Sequence, residues 1–399
     1  MIPSVDAFNF LDVDASPTDA VVGAPATAAN GLARFFRDGA AATTLTLTAS
    51  MPGFGSSVAA AGDVNGDGRG DIVVGACVDG WPATTRPTTG CSNAAYVFIT
   101  RADGTFDSPI ALTAPVSGTT SFGNAVSSAG DFDGDGYGDV LVGDYVAGLA
   151  WVFHGTSTGI DTATPTMLGH GDGSFGASVA FAGDTNGDGY GDVIVGEPMY
   201  GTVTLFLGRM GPSPTEISFG TDAAGYGASI SGIGDYNGDG YADIAIATTS
   251  TTSSGDVQVR VGSASLSATM PPLMYDDLTV GGGGFDTTAA ASVIGMGDCD
   301  GDGLGDVVVS TLTSIFGTAF AYHGGTSPGM WSTNNVMTPY FGSQLGRMRP
   351  LSFTVGACPM PSGCTTTGSA YIYTCGGGSI TLSRQWSDSA TNFGAAVPR

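Results

Sequence analysis

An Asp-rich loop written five times, a β-branched run directly after each copy and an aromatic residue ahead of it together predict an all-β chain. The architecture expected is a seven-bladed β-propeller of four-stranded antiparallel blades, its ring closed by the C-terminal strand joining the N-terminal blade. The repeats run along the whole chain, so residues 1–399 read as a single domain.

The loop comes first. One copy is Asp63-Val64-Asn65-Gly66-Asp67-Gly68-Arg69-Gly70-Asp71, followed by Ile72-Val73-Val74-Gly75. Numbering Asp63 as position 1, the other copies start at Asp131, Asp184, Asp235 and Asp298. Position 3 is Asp133, Asn186, Asn237 or Asp300, and position 5 is Asp135, Asp188, Asp239 or Asp302. Position 7 is Tyr137, Tyr190, Tyr241 or Leu304 in place of Arg69, and position 9 is Asp139, Asp192, Asp243 or Asp306. Ala242 stands where the other copies have a glycine.

An aromatic precedes each loop: Phe54-Gly55, Phe122-Gly123, Phe175-Gly176, Tyr226-Gly227 and, less regularly, Phe285-Asp286. A further strand follows each, such as Ala95-Tyr96-Val97-Phe98 or Ala150-Trp151-Val152-Phe153. With room for a fourth strand before the next aromatic, each unit has the make-up of a blade.

Two degenerate copies bring the count to seven. Phe341-Gly342, Phe353 to Gly356 and Ala370 to Tyr373 form a unit without its acidic loop. Near the N-terminus, Asp12, Asp14 and Asp19 precede Ala20-Val21-Val22-Gly23 with a shortened loop and no aromatic–Gly strand ahead of it. Its first strand is expected from residues 393–397, because Phe393-Gly394-Ala395-Ala396-Val397 matches Phe54-Gly55-Ser56-Ser57-Val58. A blade built from both chain ends hides the two sheet edges.

The acids need a counter-charge. Asp and Glu total 36 against 11 Lys and Arg, a formal net charge of −25, and only Glu197 and Glu216 are glutamate. Such a surface repels nucleic-acid phosphates and anionic lipid, so neither is expected as a partner. Disorder is excluded by a hydrophobic fraction of 42%. No apolar run reaches the roughly 20 residues that cross a bilayer. Met1-Ile2-Pro3-Ser4-Val5-Asp6 lacks the basic and apolar regions of a secretion signal, so the signal is expected to have been removed or the chain to be a fragment.

Side-chain oxygens at alternate positions 1, 3 and 5, a carbonyl at position 7 and a carboxylate at position 9 form the donor set of Ca²⁺, a hard cation taking six to eight oxygens. About five calcium ions are expected, stabilising the loops that hold them. Mg²⁺ fits less well because it retains water, and paired His and Cys ligands for zinc are absent. An EF-hand would need a bidentate Glu at position 12, where Val74, Val142, Val195, Ile246 and Val309 stand, and flanking helices.

These residues resemble the FG-GAP repeats of the integrin α-subunit headpiece, over essentially the whole chain. Gly23-Ala24-Pro25 keeps that family's Gly-Ala-Pro triplet after the second strand, and Gly196-Glu197-Pro198 varies it. The resemblance implies a seven-bladed propeller with calcium loops on one face and ligand contacts mostly on the other. Five loops exceed the usual integrin number, and no inserted adhesion domain, leg domain or membrane anchor is seen. The lysine-free, Gly/Ser/Thr-rich character is similar to a bacterial secreted or surface member. Arg69-Gly70-Asp71 spells an integrin-recognition tripeptide, but Asp71 is committed to a calcium loop.

Cys77 and Cys91 bracket the loop after one second strand, and Cys358 and Cys364 bracket the equivalent loop near the C-terminus. Two loop-stapling disulfides and an oxidising, extracellular or cell-surface setting follow. Cys299, at position 2 of a calcium loop, reads as a small packing residue and Cys375, after a strand, as a free thiol, with the pairing of both left open.

Catalysis is not expected. His154 and His323 end equivalent strands, which suits packing or a turn, and no nucleophile–base pair or phosphate-cradling lysine emerges. Loops on the face opposite the calcium sites are where a ligand would bind, with Trp81, Arg86, Tyr145, His170 and Tyr200 as candidates, joined by Met199, Asp172 and Tyr340. The leading reading is a calcium-stabilised extracellular module for protein–protein interaction or adhesion. A carbohydrate-binding, lectin-like propeller and a non-catalytic domain of a larger secreted enzyme stand as alternatives.

Overall fold

The computed structural model describes residues 20–24, 31–36, 43–45, 51–77, 91–116, 121–169, 171, 173–211, 213–220, 224–248, 256–267, 273–279, 292–312, 317–325, 341–347, 352–357, 367–376 and 379–391. Among these residues there is no helix; the strands are antiparallel and assemble into small sheets in chain order.

The second sheet shows the pattern in full. Phe54–Gly62, Asp71–Cys77, Cys91–Phe98 and Ile110–Thr113 pair in that order as a meander. The third sheet runs Val126–Gly130, Asp139–Asp144, Leu149–Phe153 and Thr166–Leu168, with a small hairpin of Gly155–Thr156 and Gly159–Ile160 beside it. The fourth is Ser178–Gly183, Asp192–Glu197, Thr202–Leu207 and Thr215–Gly220. The fifth is Tyr226–Gly234, Asp243–Thr248, Asp256–Val261 and Leu273–Thr279.

The remaining three match the outlying repeats. Ala20–Ala24, Leu32–Phe36 and Thr43–Leu45 form the first sheet, and Ser292–Gly297, Asp306–Leu312 and Gly317–Tyr322 the sixth. Phe341–Arg347, Ser352–Ala357, Thr367–Gly376 and Ser379–Thr391 form the seventh. Residues 393–397, expected to complete the first sheet, lie outside the described residues.

The core lies between sheets rather than within one, which explains why the second strands are unbroken apolar runs. Ile72 and Val74 pack toward the first sheet with Val21 and Phe35, whereas Val73 packs toward the third with Val140, Val142 and Trp151. Leu141 in turn faces Val193 and Val195, and Ile194 faces Ile244 and Ile246. A strand buried on both faces has no polar side to alternate with. The aromatics Phe54, Phe122, Phe175 and Tyr226 ahead of the loops are buried in these seams, Phe285 lying outside the described residues: Phe122 meets Phe153 edge-on at 6.0 Å, and Phe175 meets Phe206 at 6.1 Å.

A recurrent bulge aims the loops. In the second to sixth sheets the register between first and second strands shifts just before position 1, for example between Ser128 and Gly130. Gly130 adopts φ 66°, a conformation that side-chain-bearing residues rarely take, and a Cβ there would lie 2.4 Å from the Phe181 ring of the next sheet. Each Asp-rich loop therefore leaves its sheet through the same kind of register shift.

Candidate metal centre and interaction face

Each loop is wound around its own carboxylates. Asp184 Oδ1 accepts the backbone N–H groups of Gly187 at 2.7 Å and Asp188 at 3.1 Å, and its Oδ2 accepts that of Gly189 at 2.9 Å. Asn186 Oδ1 accepts the Asp188 N–H at 3.0 Å, and Asp188 Oδ1 the Tyr190 N–H at 3.0 Å. These bonds turn the side chains of positions 1, 3 and 5 inward. Where all three are aspartates, at Asp131, Asp133, Asp135 and at Asp298, Asp300, Asp302, their ligand oxygens lie within 4.8 Å of one another. An all-oxygen cluster of that span fits a hard divalent cation.

Position 9 is different. Asp71, Asp139, Asp192, Asp243 and Asp306 are fully buried. Each binds the N–H of position 2 in its own loop and the N–H at the end of its own sheet's third strand: Asp139 holds Phe132 and Gly155, both at 2.8 Å. Burial pushes the Asp71, Asp192 and Asp243 carboxyls up to about 7 and Asp306 to about 6, against the opposing pull of these N–H groups. A buried carboxylate held this high has less positive charge around it than its ionised form requires, and a cation beside it would supply that charge. Asp71 is thus enclosed, and Arg69 pairs with Asp67 at 3.0 Å, so the Arg69-Gly70-Asp71 tripeptide is not presented to a partner.

The loops also hold one another. The N–H of position 8 donates to the position-1 carbonyl of the preceding loop: Gly138 to Asp63 at 2.7 Å, Gly191 to Asp131 at 2.8 Å, Ala242 to Asp184 at 3.1 Å and Gly305 to Asp235 at 2.7 Å. Position 7 lies across the preceding loop as well; a Cβ on Gly134 would meet the Tyr190 ring at 2.3 Å. Five candidate metal loops form one continuous band across the second to sixth sheets.

His154 and His323 belong to this band, a role the sequence reading missed. His154 Nδ1 lies 3.2 Å from Asp133 Oδ2 and 3.5 Å from Asp139 Oδ2, while its Nε2 pairs with Thr166 Oγ1 at 2.9 Å. His323 Nδ1 lies 2.8 Å from Asp300 Oδ2. Burial draws His154 down, but the carboxylates of Asp139, Asp133 and Asp135 outweigh it and leave it raised. The signal was present in the repeats: the site carries His where position 3 is Asp, and Ile99, Leu207 or Val261 where position 3 is Asn65, Asn186 or Asn237.

At the opposite end of the sheets the picture is partial. Trp81, Arg86, Asp172, His170, Tyr340, Cys358 and Cys364 lie outside the described residues. Tyr145, expected as a ligand contact, is 7% exposed. Met199 and Tyr200 stand out at 48% and 55% exposure. Nearby, Ser121 Oγ donates to the fully buried Asp144 at 2.8 Å, and burial raises the Asp144 carboxyl. Cys77 and Cys91 face each other in register and form the expected disulfide. Cys299 departs from its expected packing role, because it is disulfide-bonded.

The FG-GAP-like repeat family matches residues 131–195 and 184–246, and the FG-GAP repeat family matches residues 54–76. The chain carries FG-GAP repeats. Integrin alpha-PS3 of Drosophila melanogaster is 32% identical over 163 residues, 38% of this chain and 14% of that protein. Integrin alpha pat-2 of Caenorhabditis elegans is 34% identical over 173 residues, 38% and 14% of the two chains. The FG-GAP chain thus spans about a seventh of the length of the integrin subunits it matches. A crystal structure of a protein from Lactobacillus plantarum superposes with a TM-score of 0.53 at 13% identity, covering 95% of this chain and 96% of the other. That likeness concerns the fold, which is of the β-propeller type. No helix among the described residues is long and apolar enough to cross a membrane.

Proposed function

We propose that this chain is a calcium-stabilised, extracellular or cell-surface binding module that holds a protein ligand in adhesion or assembly and does no catalysis. In this reading residues 1–399 form one seven-bladed ring, and residues 393–397 complete the sheet of Ala20–Ala24. About five Ca²⁺ ions occupy the loops starting at Asp63, Asp131, Asp184, Asp235 and Asp298. Positions 1, 3, 5 and 9 and the position-7 carbonyl hold each ion, which neutralises carboxylates that otherwise repel.

The observation that carries the proposal is the band itself: inward-turned oxygens in five loops, each hydrogen-bonded to the next. Neutralising one loop steadies its neighbours, so metal binding and the rigidity of the whole scaffold are coupled. The opposite face, with Met199 and Tyr200 exposed, then serves as the contact surface, and Trp81, Arg86 and His170 are its further candidates. The integrin relatives favour a protein ligand over a carbohydrate.

Three measurements test this. Atomic emission on protein dialysed against calcium should return about five ions per chain, and chelation should lower the thermal midpoint markedly; an unchanged midpoint removes the structural role of the metal. A calcium-dependent pull-down from the native extracellular milieu should lose its partner on Tyr200→Ala or Trp81→Ala, with the thermal midpoint of the variants retained. Retention of the partner by both variants would move the contact surface elsewhere.

A further inference from the structure

We infer that Cys299 is bonded to Cys375, so that a disulfide joins the sixth sheet to the seventh where the band of acidic loops runs out. Cys299 is 1% exposed and disulfide-bonded, and the repeat geometry says what faces it. In four successive pairs of sheets, the carbonyl at loop position 2 accepts an N–H from just past the third strand of the following sheet. Val64 accepts from Thr156 at 3.0 Å, Phe132 from Arg209 at 2.8 Å, Thr185 from Ser263 at 2.8 Å and Tyr236 from Gly325 at 2.6 Å. The residue before each donor is Gly155, Gly208, Gly262 or Gly324. A Cβ on these glycines would lie 2.8, 2.8, 2.5 and 2.7 Å from that same position-2 carbonyl. The side chain of this site therefore points at position 2 of the preceding loop.

Strand pairing carries the correspondence into the seventh sheet. Phe153, Phe206, Arg260 and Tyr322 pair with Val140, Val193, Ile244 and Val307, and Tyr373 pairs with Phe353 in the same place. The site two residues past Tyr373 is Cys375, and the preceding loop's position 2 is Cys299. In the third to sixth sheets a Cβ there would also meet the sheet's own position-8 carbonyl, such as Gly138 O at 2.4 Å from the Gly155 site. The site nonetheless admits a side chain: in the second sheet, where Phe98 pairs with Ile72, it is the buried Thr100, whose hydroxyl donates to the position-8 carbonyl of Gly70 at 2.8 Å.

The described strand end that leads to the other two cysteines lies far from this site. Cys358 and Cys364 follow Ala357, whose partner Ser369 lies six residues along the strand from Cys375. At about 3.3 Å per residue that is roughly 20 Å, whereas bonded cysteines have Cα atoms within about 7 Å. Forming the bond removes one proton and one electron from each thiol; both pass to an external disulfide, as of a thiol–disulfide oxidoreductase, which becomes a dithiol. The bond does for the seventh sheet what Asp71 and its counterparts do elsewhere, fixing the end of a third strand.

The test is a disulfide map of the full chain, alkylated under denaturing, non-reducing conditions, cleaved at aspartates and read by mass spectrometry. A peptide pair containing Cys299 and Cys375 is the expected product. Alkylated Cys299 or Cys375, or Cys299 joined to Cys358 or Cys364, overturns the assignment. Closing a loop of roughly 75 residues should also make the Cys299→Ala/Cys375→Ala variant melt about 5 °C lower. An unchanged midpoint would mean that the bond, even if present, does not hold the two sheets together.

Discussion

Asp192 accepts the backbone N–H of Gly208 at 2.8 Å, across a gap between two strands that the ladder of main-chain bonds does not close. Its other oxygen accepts the N–H and hydroxyl of Thr185, so one buried side chain fastens loop, second strand and third strand together. Asp192→Ala strands two backbone donors in the interior, each worth about 1–3 kcal/mol when unsatisfied. The variant should melt several degrees lower by calorimetry, even without metal. Asp192→Asn, which keeps one acceptor but turns an NH₂ toward a donor, should fall between. An alanine variant as stable as the parent would show that water takes over these bonds.

His154 and Asp133 should behave as a unit, because their Nδ1 and Oδ2 atoms are 3.2 Å apart and the three loops with Asn at position 3 have an apolar residue at the histidine site. His154→Leu leaves an extra carboxylate beside Asp139, and Asp133→Asn takes from the imidazole the nearer of its two carboxylate partners. The double variant reproduces the pairing of Asn186 with Leu207. A double-mutant cycle on thermal stability of metal-free protein should therefore show coupling of about 1 kcal/mol, with the double variant more stable than either single change predicts. Additive effects would dissolve the pair.

The parts legible in the sequence were those that one repeat can state alone. Positions 1, 3, 5 and 9 and the β-branched run after them announce a loop and a strand buried on both faces, and Val73 and Val74 indeed face opposite neighbours. What was hidden depends on contact between repeats. His154 looked like the end of a strand until Asp133 was placed beside it, and Cys299 looked like a packing residue until the following sheet was set against it. The 7% exposure of Tyr145 was hidden too, because exposure of a loop residue depends on where the loop folds back.

Acidity should act in opposite directions with and without metal. The folded carboxyls of Asp71, Asp192 and Asp243 stand near 7 and that of Asp306 near 6, above the roughly 3.9 of an unfolded chain. Between those limits the folded protein holds more protons, so metal-free stability falls as pH rises from about 4 through about 7 and levels off above. The repulsion within a chain of formal charge −25 has the same sign, so Asp192→Asn is the control: it should remove part of the slope. With saturating calcium the carboxylates are held ionised, and acidification should lower the midpoint by displacing metal. Calorimetry at pH 5, 6, 7 and 8 reads both limbs. A metal-free midpoint that climbs from pH 5 to 7 would contradict the account of position 9.

Gly123 tests the seam between sheets without touching any metal ligand. It follows Phe122, adopts φ 85°, and a Cβ built on it would lie 2.3 Å from the carbonyl oxygen of Ala94 in the preceding sheet. Its N–H donates to Gly143 O at 3.0 Å, so the backbone cannot simply move away. Gly123→Ala therefore combines a strained dihedral, about 1–2 kcal/mol, with separation of two packed sheets. It should destabilise more than Phe122→Leu, which keeps an apolar plug against Phe153. Because the Asp131 loop lies at the other end of the third sheet, calcium stoichiometry should stay at the parent value below the melting transition. A Gly123→Ala protein that melts with the parent, or that loses metal while still folded, would mean that the two ends of the sheet are not mechanically separate in the way its contacts indicate.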